Sequence, residues 1–147
     1  MATYKKEYPY LMEDIVTPLD VYSADGHSFH TERAIWDTGA DTTIISSRIV
    51  RELNLQPYKQ GGISGIGGDT GSSVYLVHVL VPTGDFVTSV EVMESDFQDI
   101  DVLIGMDVIV FGDFLITNAD GKTTFQFRTP SEGEVVIDSV ASLVEEL

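Results

Sequence analysis

The chain has 147 residues, 43% of them hydrophobic, with a formal net charge of -16 and no cysteine. That length fits one domain with a substantial core. The charge argues against a nucleic-acid partner, which needs clustered Lys and Arg, and the missing thiols exclude disulfides, thiolate metal sites and a cysteine nucleophile. No stretch approaches the roughly 18 unbroken apolar residues of a membrane span. The first residues, Met1-Ala2-Thr3-Tyr4-Lys5-Lys6-Glu7, lack the apolar segment of a signal peptide. A cytoplasmic location, with no membrane partner, is the expectation. The acidic surface aids solubility and repels acidic peptides.

The pattern predicts mostly short strands separated by turns. Residues 15–22 read as a strand, with Pro18 marking an edge or bend. Ala24-Asp25-Gly26 is a hairpin turn, and residues 28–36 form the return strand. A loop at Asp37 leads into a β-branched strand over residues 42–45. A helix over about residues 47–53 follows, with Ser46 or Ser47 as N-cap and Ile49, Val50 and Leu53 on one face. Pro57 prevents a long continuation. Residues 58–64 and 73–81 read as two hairpin arms flanking the glycine-rich run Gly65-Ile66-Gly67-Gly68-Asp69-Thr70-Gly71-Ser72. After a turn at Pro82-Thr83-Gly84-Asp85 come a strand over residues 86–93 and a polar loop over 94–99. Asp101-Val102-Leu103-Ile104-Gly105-Met106-Asp107 leads into a short helical turn. Residues 114–117 and 123–128 form a hairpin around Asn118-Ala119-Asp120-Gly121, residues 134–137 a last strand, and residues 141–147 a short helix or frayed tail. Many short strands with little helix indicate an all-β barrel or sandwich.

Chemistry concentrates at Asp37-Thr38-Gly39-Ala40. The apolar strand Ala34-Ile35-Trp36 drives into this loop, so the Asp37 carboxylate is partly removed from water and needs hydrogen bonds or a shared proton. Gly39 lets backbone amides approach it, and Thr38 supplies a hydroxyl that can lock the loop. A second triplet, Asp69-Thr70-Gly71, follows glycines instead of a buried strand, and it is a flexible hairpin tip more than a catalytic site. Asp96, Asp99 and Asp101 lack the spacing of a Ca²⁺ loop and read as a solvated acidic loop. His27 and His30 fall on opposite strand faces, and His78 stands alone, so no metal site or cofactor is expected. No G-x-S-x-G elbow or P-loop is present.

Three motifs, in order, resemble those of the retropepsin-like aspartic proteases. Ile35-Trp36-Asp37-Thr38-Gly39-Ala40 matches the family's apolar–apolar–Asp-Thr-Gly-Ala signature. Gly65-Ile66-Gly67-Gly68 is similar to the tip of the flap hairpin. Val102-Leu103-Ile104-Gly105 is similar to the apolar–apolar–Gly element before the family's helix. The resemblance implies a closed β-barrel-like acid-protease fold with a flap hairpin and one or two short helices. It implies Asp37 as the catalytic residue, with Thr38, Gly39 and Ala40 supporting its loop. It also implies Ile63, Gly65, Ile66, Gly67 and Gly68 as a substrate-binding flap, and Ile104 and Gly105 as structural support for the pocket walls. Against the shortest family members, the single domain over residues 1–147 carries an N-terminal extension of about residues 1–30 and a tail of about 130–147.

The triplets lie 32 positions apart, too close for one lobe each. One chain therefore supplies one Asp37, and a homodimer supplies the second carboxylate. The implied function is an aspartic endopeptidase acting on a peptide or protein substrate. The alternative is a fold of this family used as a non-catalytic dimerisation or peptide-binding module.

Overall fold

The structure, a computed structural model, describes residues 2–61 and 72–137. Its strands are β1 (Ala2–Glu7), β2 (Val16–Tyr22), β3 (Ser28–Trp36), β4 (Ile44–Ser46), β5 (Lys59–Gly61), β6 (Ser72–Leu80), β7 (Phe86–Ser95), β8 (Val102–Ile104), β9 (Asp113–Thr117) and β10 (Thr124–Thr129). Two short helices join them, α1 (Ser47–Glu52) and α2 (Met106–Ile109), together with one 3-10 turn at Ala119–Gly121.

Six strands close on themselves. The order runs β2-β3-β8-β4-β7-β6, and β6 returns to β2 through Asp20↔Leu80, Val21↔Val79 and Tyr22↔His78. β5 hangs on the outside of β6. This is the all-β closed barrel that the resemblance implies, one of the two architectures, barrel or sandwich, that the strand pattern allows. The turns do much of the sorting. Gly26 and Gly84 take φ of +91° and +96°, values that suit glycine, at the tips of the β2–β3 and β6–β7 hairpins. Pro18 cannot donate to a ladder, and the β2–β3 register shifts between Thr17 and Leu19. Alternation does the rest. On β2, Thr17, Leu19 and Val21 point inward, and on β3, Phe29 and Thr31 do so before the register shift, where β3 has one extra residue, and Ala34 and Trp36 after it.

A second sheet, β1-β10-β9, packs against the barrel. Its inward residues Phe125 and Phe127 are fully buried. With Phe114 they surround Trp36, at ring-centroid distances of 5.1, 4.7 and 6.0 Å. Trp36 also donates its indole N–H to Thr17 Oγ1 at 2.8 Å. The residue before Asp37 is thereby anchored in the core.

Three expectations need correction. Residues 134–137 form no strand and are exposed. β10, the last strand, already pairs with β9 on one side and β1 on the other and offers them no free edge. β1 itself was not anticipated, because Lys5, Lys6 and Glu7 obscure its alternation. Asp101 does not belong to a solvated loop. It is buried, accepting from the Thr31 hydroxyl at 2.6 Å and pairing with Arg33 and Arg48 at 3.2 and 2.8 Å. The parallel pairing of β8 with β3 brings it beside Arg33, whose carbonyl accepts its N–H.

Candidate active site

The Asp37 loop begins where β3 runs out of partners. β3 pairs in parallel with β8, Trp36 opposite Ile104, and the next N–H, that of Asp37, still bonds the Ile104 carbonyl at 2.9 Å. Beyond this point the chain turns. Ala40 N–H donates to the Asp37 carbonyl at 3.2 Å, and Gly39 N–H donates to the Asp37 carboxylate, at Oδ1, at 2.9 Å. A Cβ on Gly39 would stand 3.2 Å from that same oxygen and crowd it. Glycine therefore permits the close backbone approach to the carboxylate that the sequence led us to expect.

Asp37 is half-buried, and Thr38 and Gly39 are exposed. The carboxylate thus stands between a dry floor, Trp36 and its aromatic neighbours, and open solvent. It borders a cleft of about 360 Å³ that Thr38, Glu13, Asp14, Phe114 and Ile116 also line. Glu13 and Asp14 line this cleft, and the sequence reading did not select them. They lie in an irregular stretch before β2, and only the β2–β3 pairing brings them beside Asp37.

The element containing Ile104 and Gly105 lies directly under the loop. Ile104 is fully buried, and Gly105 N–H donates to Thr43 Oγ1 at 3.0 Å. Met106 N–H donates to the Ala40 carbonyl at 2.7 Å. A Cβ on Gly105 would meet the Thr42 carbonyl carbon at 2.8 Å and the Ala40 carbonyl oxygen at 3.0 Å, so the two backbones touch. Asp107 closes the arrangement, accepting from Thr43 N–H at 2.9 Å and from the Thr43 hydroxyl at 2.6 Å. Its role carried no sequence signal beyond its place after Ile104-Gly105.

The expected flap residues Ile63, Gly65, Ile66, Gly67 and Gly68, like Asp69, lie outside the described residues. The arms that lead to them are antiparallel, Lys59 opposite Val74, Gln60 opposite Ser73 and Gly61 opposite Ser72. His27 pairs with Asp25, and His30 bridges Asp20 and Glu32 at 2.7 and 2.9 Å. Among the described residues no group of three or more His, Asp or Glu is placed to hold a metal ion. No described helix is long and apolar enough to cross a membrane.

Comparison with known proteins gives the family and the fold. Residues 24–110 match the model of the family described as "gag-polyprotein putative aspartyl protease". Among solved structures, a retropepsin-like aspartic protease from Rickettsia conorii aligns with a TM-score of 0.53 at 11% identity, over 85% of this chain and 92% of that one. The EIAV protease, complexed with the inhibitor HBY-793, aligns at 0.48 and 20% identity, over 67% of this chain and 88% of that one. The Simian Foamy Virus (mac) protease aligns at 0.42 and 24% identity, over 60% and 87%. A search of curated proteins finds no match. The family match spans β3, the Asp37 loop and the Ile104-Gly105 element that supports it, and the chain belongs to the gag-type, retropepsin-like aspartyl protease family.

Proposed function

We propose that the chain is an aspartic endopeptidase that works as a homodimer, hydrolysing peptide bonds with water activated between two Asp37 carboxylates. The observation that carries this reading is the Asp37 carboxylate itself. It is anchored through Trp36, held by Gly39 N–H, and open to a cleft on the surface where Thr38 is exposed. One chain offers one such carboxylate, and a two-fold axis beside Thr38 supplies the second.

Two carboxylates brought that close share one proton. The ionised member takes a proton from the bound water, and the protonated member hydrogen-bonds the scissile carbonyl oxygen. Water oxygen bonds to the carbonyl carbon, and the tetrahedral intermediate breaks its C–N bond as the leaving nitrogen takes a proton. The Thr38 hydroxyls tie the two loops across the axis. Small residues at Gly39 and Ala40 keep the cleft floor narrow for an extended peptide. The β5 and β6 arms lead to residues 62–71, whose Ile63 and Ile66 lower onto the substrate from a glycine-rich tip in this reading.

Cleavage of a peptide library tests the proposal. Activity is expected to vanish in Asp37→Asn, to survive in Asp69→Asn, and to be blocked by a statine-type transition-state analogue. Cleavage that persists in Asp37→Asn refutes the assignment. Peptide binding without cleavage by the wild-type protein supports the non-catalytic module instead.

A further inference from the structure

The contacts around Asp107 point to a role outside the catalytic loop, and that role rests on the aspartic-protease reading above. Asp107 is the second residue of α2. Both its carboxylate oxygens are used by one residue, Thr43, whose N–H reaches Oδ2 at 2.9 Å and whose hydroxyl reaches Oδ1 at 2.6 Å. The Thr43 hydroxyl has one hydrogen, already given to Asp107, so towards Gly105 it acts as acceptor, taking the buried Gly105 N–H at 3.0 Å. The direction of the chain is therefore fixed, from Gly105 N–H to the Thr43 hydroxyl to the Asp107 carboxylate. Thr43 is fully buried. Without Asp107, its N–H and its hydroxyl both lose their acceptor in the protein interior.

These bonds matter because of where Thr43 sits. The loop that starts at Asp37 is held at three points. Its first N–H is bonded to Ile104, its middle carbonyl, at Ala40, accepts from Met106, and its far end is Thr43. At that far end Met93 N–H holds the Thr43 carbonyl, and Asp107 holds both Thr43 donors. The Asp37 carboxylate hangs on the span between these fixed points, tied to it through Gly39 N–H. We propose that Asp107, acting through Thr43, is a positioning residue that sets the Asp37 carboxylate for the proposed hydrolysis. A purely structural reading makes Asp107 a favourable first-turn acid of α2 and nothing more.

Variants of the full chain separate the two readings, assayed on a peptide that the wild-type protein cleaves, well below the melting temperature, with Trp36 fluorescence as the check of fold. Asp107→Ala and Thr43→Val are each expected to lower kcat by about 10–100-fold, the scale on which small misplacements of catalytic groups act, while KM stays within about threefold. Thr43→Ser keeps the hydroxyl and is expected to stay within about threefold of wild type. The double variant is expected to be little worse than either single one, because both changes break one chain of bonds. If Asp107→Ala does not fold, Asp107→Asn replaces it. Asn keeps the shape but can accept only one of the two Thr43 bonds, and about a tenfold loss of kcat is expected. Amide hydrogen exchange gives a readout that needs no substrate, and exchange at Gly39 and Gly105 is expected to quicken in every variant that breaks the chain.

Variants that melt earlier but keep wild-type kcat overturn the proposal. So does a loss in Asp107→Ala that Thr43→Val does not share, or unchanged exchange at Gly39. Those outcomes leave the aspartic-protease reading intact, because cleavage still disappears in Asp37→Asn. A wild-type protein without Asp37-dependent cleavage refutes that reading and this role with it.

Discussion

Gly105→Ala offers the cleanest mechanical test of how the Asp37 loop is supported. Gly105 has φ of -93° and ψ of -177°, extended backbone that alanine adopts freely, so the substitution acts through sterics alone. The new Cβ would lie 2.8 Å from the Thr42 carbonyl carbon and 3.0 Å from the Ala40 and Thr42 carbonyl oxygens. The first contact is about 0.6 Å short of the 3.4 Å at which ordinary contact begins. All three contacts are backbone, so no side chain can swing aside. The segment over residues 40–42 must move by about half an ångström, and the Met106 N–H to Ala40 carbonyl bond is strained with it. Overpacking of this kind costs about 1–3 kcal/mol. For a chain of this size that lowers the melting temperature by roughly 2–12 °C. The displaced loop carries the carboxylate, so kcat is expected to fall by up to about 100-fold. Gly26→Ala is the control. Gly26 lies at the tip of the β2–β3 hairpin, at the opposite end of β3 from Asp37, with φ of +91° and nothing within 4 Å of an added Cβ, so alanine there acts through backbone strain alone. It is expected to destabilise the fold by about 1 kcal/mol but to leave kcat of the folded protein unchanged. Thermal melts followed by Trp36 fluorescence, with peptide cleavage on the same samples, read both quantities. Gly105→Ala with wild-type melting and wild-type kcat refutes the reasoning.

Three further outcomes follow from the charge network. Asp101→Ala removes a buried carboxylate from Thr31, Arg33 and Arg48. Because both arginines keep over 40% of their side-chain surface in solvent, the loss is expected near the lower end for a broken buried pair, about 2–3 kcal/mol by urea unfolding, and a loss below about 0.5 contradicts it. Asp113 accepts from the Ser131 hydroxyl, from Glu132 N–H and from Arg128, which hold its carboxyl down at about 2, below its usual 3.8. The folded state therefore binds this proton less readily than the unfolded one. Its stabilising contribution is complete above about pH 4 and disappears as pH falls through 2, so Asp113→Asn should flatten the acid limb of melting temperature against pH. An unchanged acid limb contradicts that assignment. The Glu32 carboxylate first, and Asp20 next, raise the His30 imidazole above its usual 6.5. Its contribution is present below 6.5 and lost as pH rises through the raised value, and an NMR titration midpoint for His30 at or below 6.5 contradicts the pairing.

Local features of the sequence carried much of the fold. Asp25-Gly26 and Gly84-Asp85 fix two hairpins whose tips need positive φ, and the apolar run Ala34-Ile35-Trp36 marks the end of β3 that enters the core. The Asp37 loop was legible because its strand, glycine and small residues are contiguous. What stayed hidden depends on contacts distant in the chain. Closure of the barrel joins β2 to β6, and neither strand carries a mark of the other. β1 pairs with β10 across almost the whole chain, and its charges obscure a strand of half-buried residues. Asp101 looks like one more acid in an acidic run until β8 lies against β3 and brings Arg33 to it. Asp107 and Thr43 are 64 positions apart, and only the passage of α2 under the loop joins them.

Sharing of one site between two chains is the claim on which the whole account turns, and mixing tests it directly. Wild-type and Asp37→Asn chains, matched in total concentration and allowed to exchange at equal proportions, give about a quarter of dimers with two Asp37 side chains. Peptide cleavage is expected to fall to about a quarter of the wild-type rate and to follow the square of the wild-type fraction across the mixing series. A rate that falls to half, in linear proportion to the wild-type chain, contradicts the shared site, because each Asp37 would then act without its counterpart.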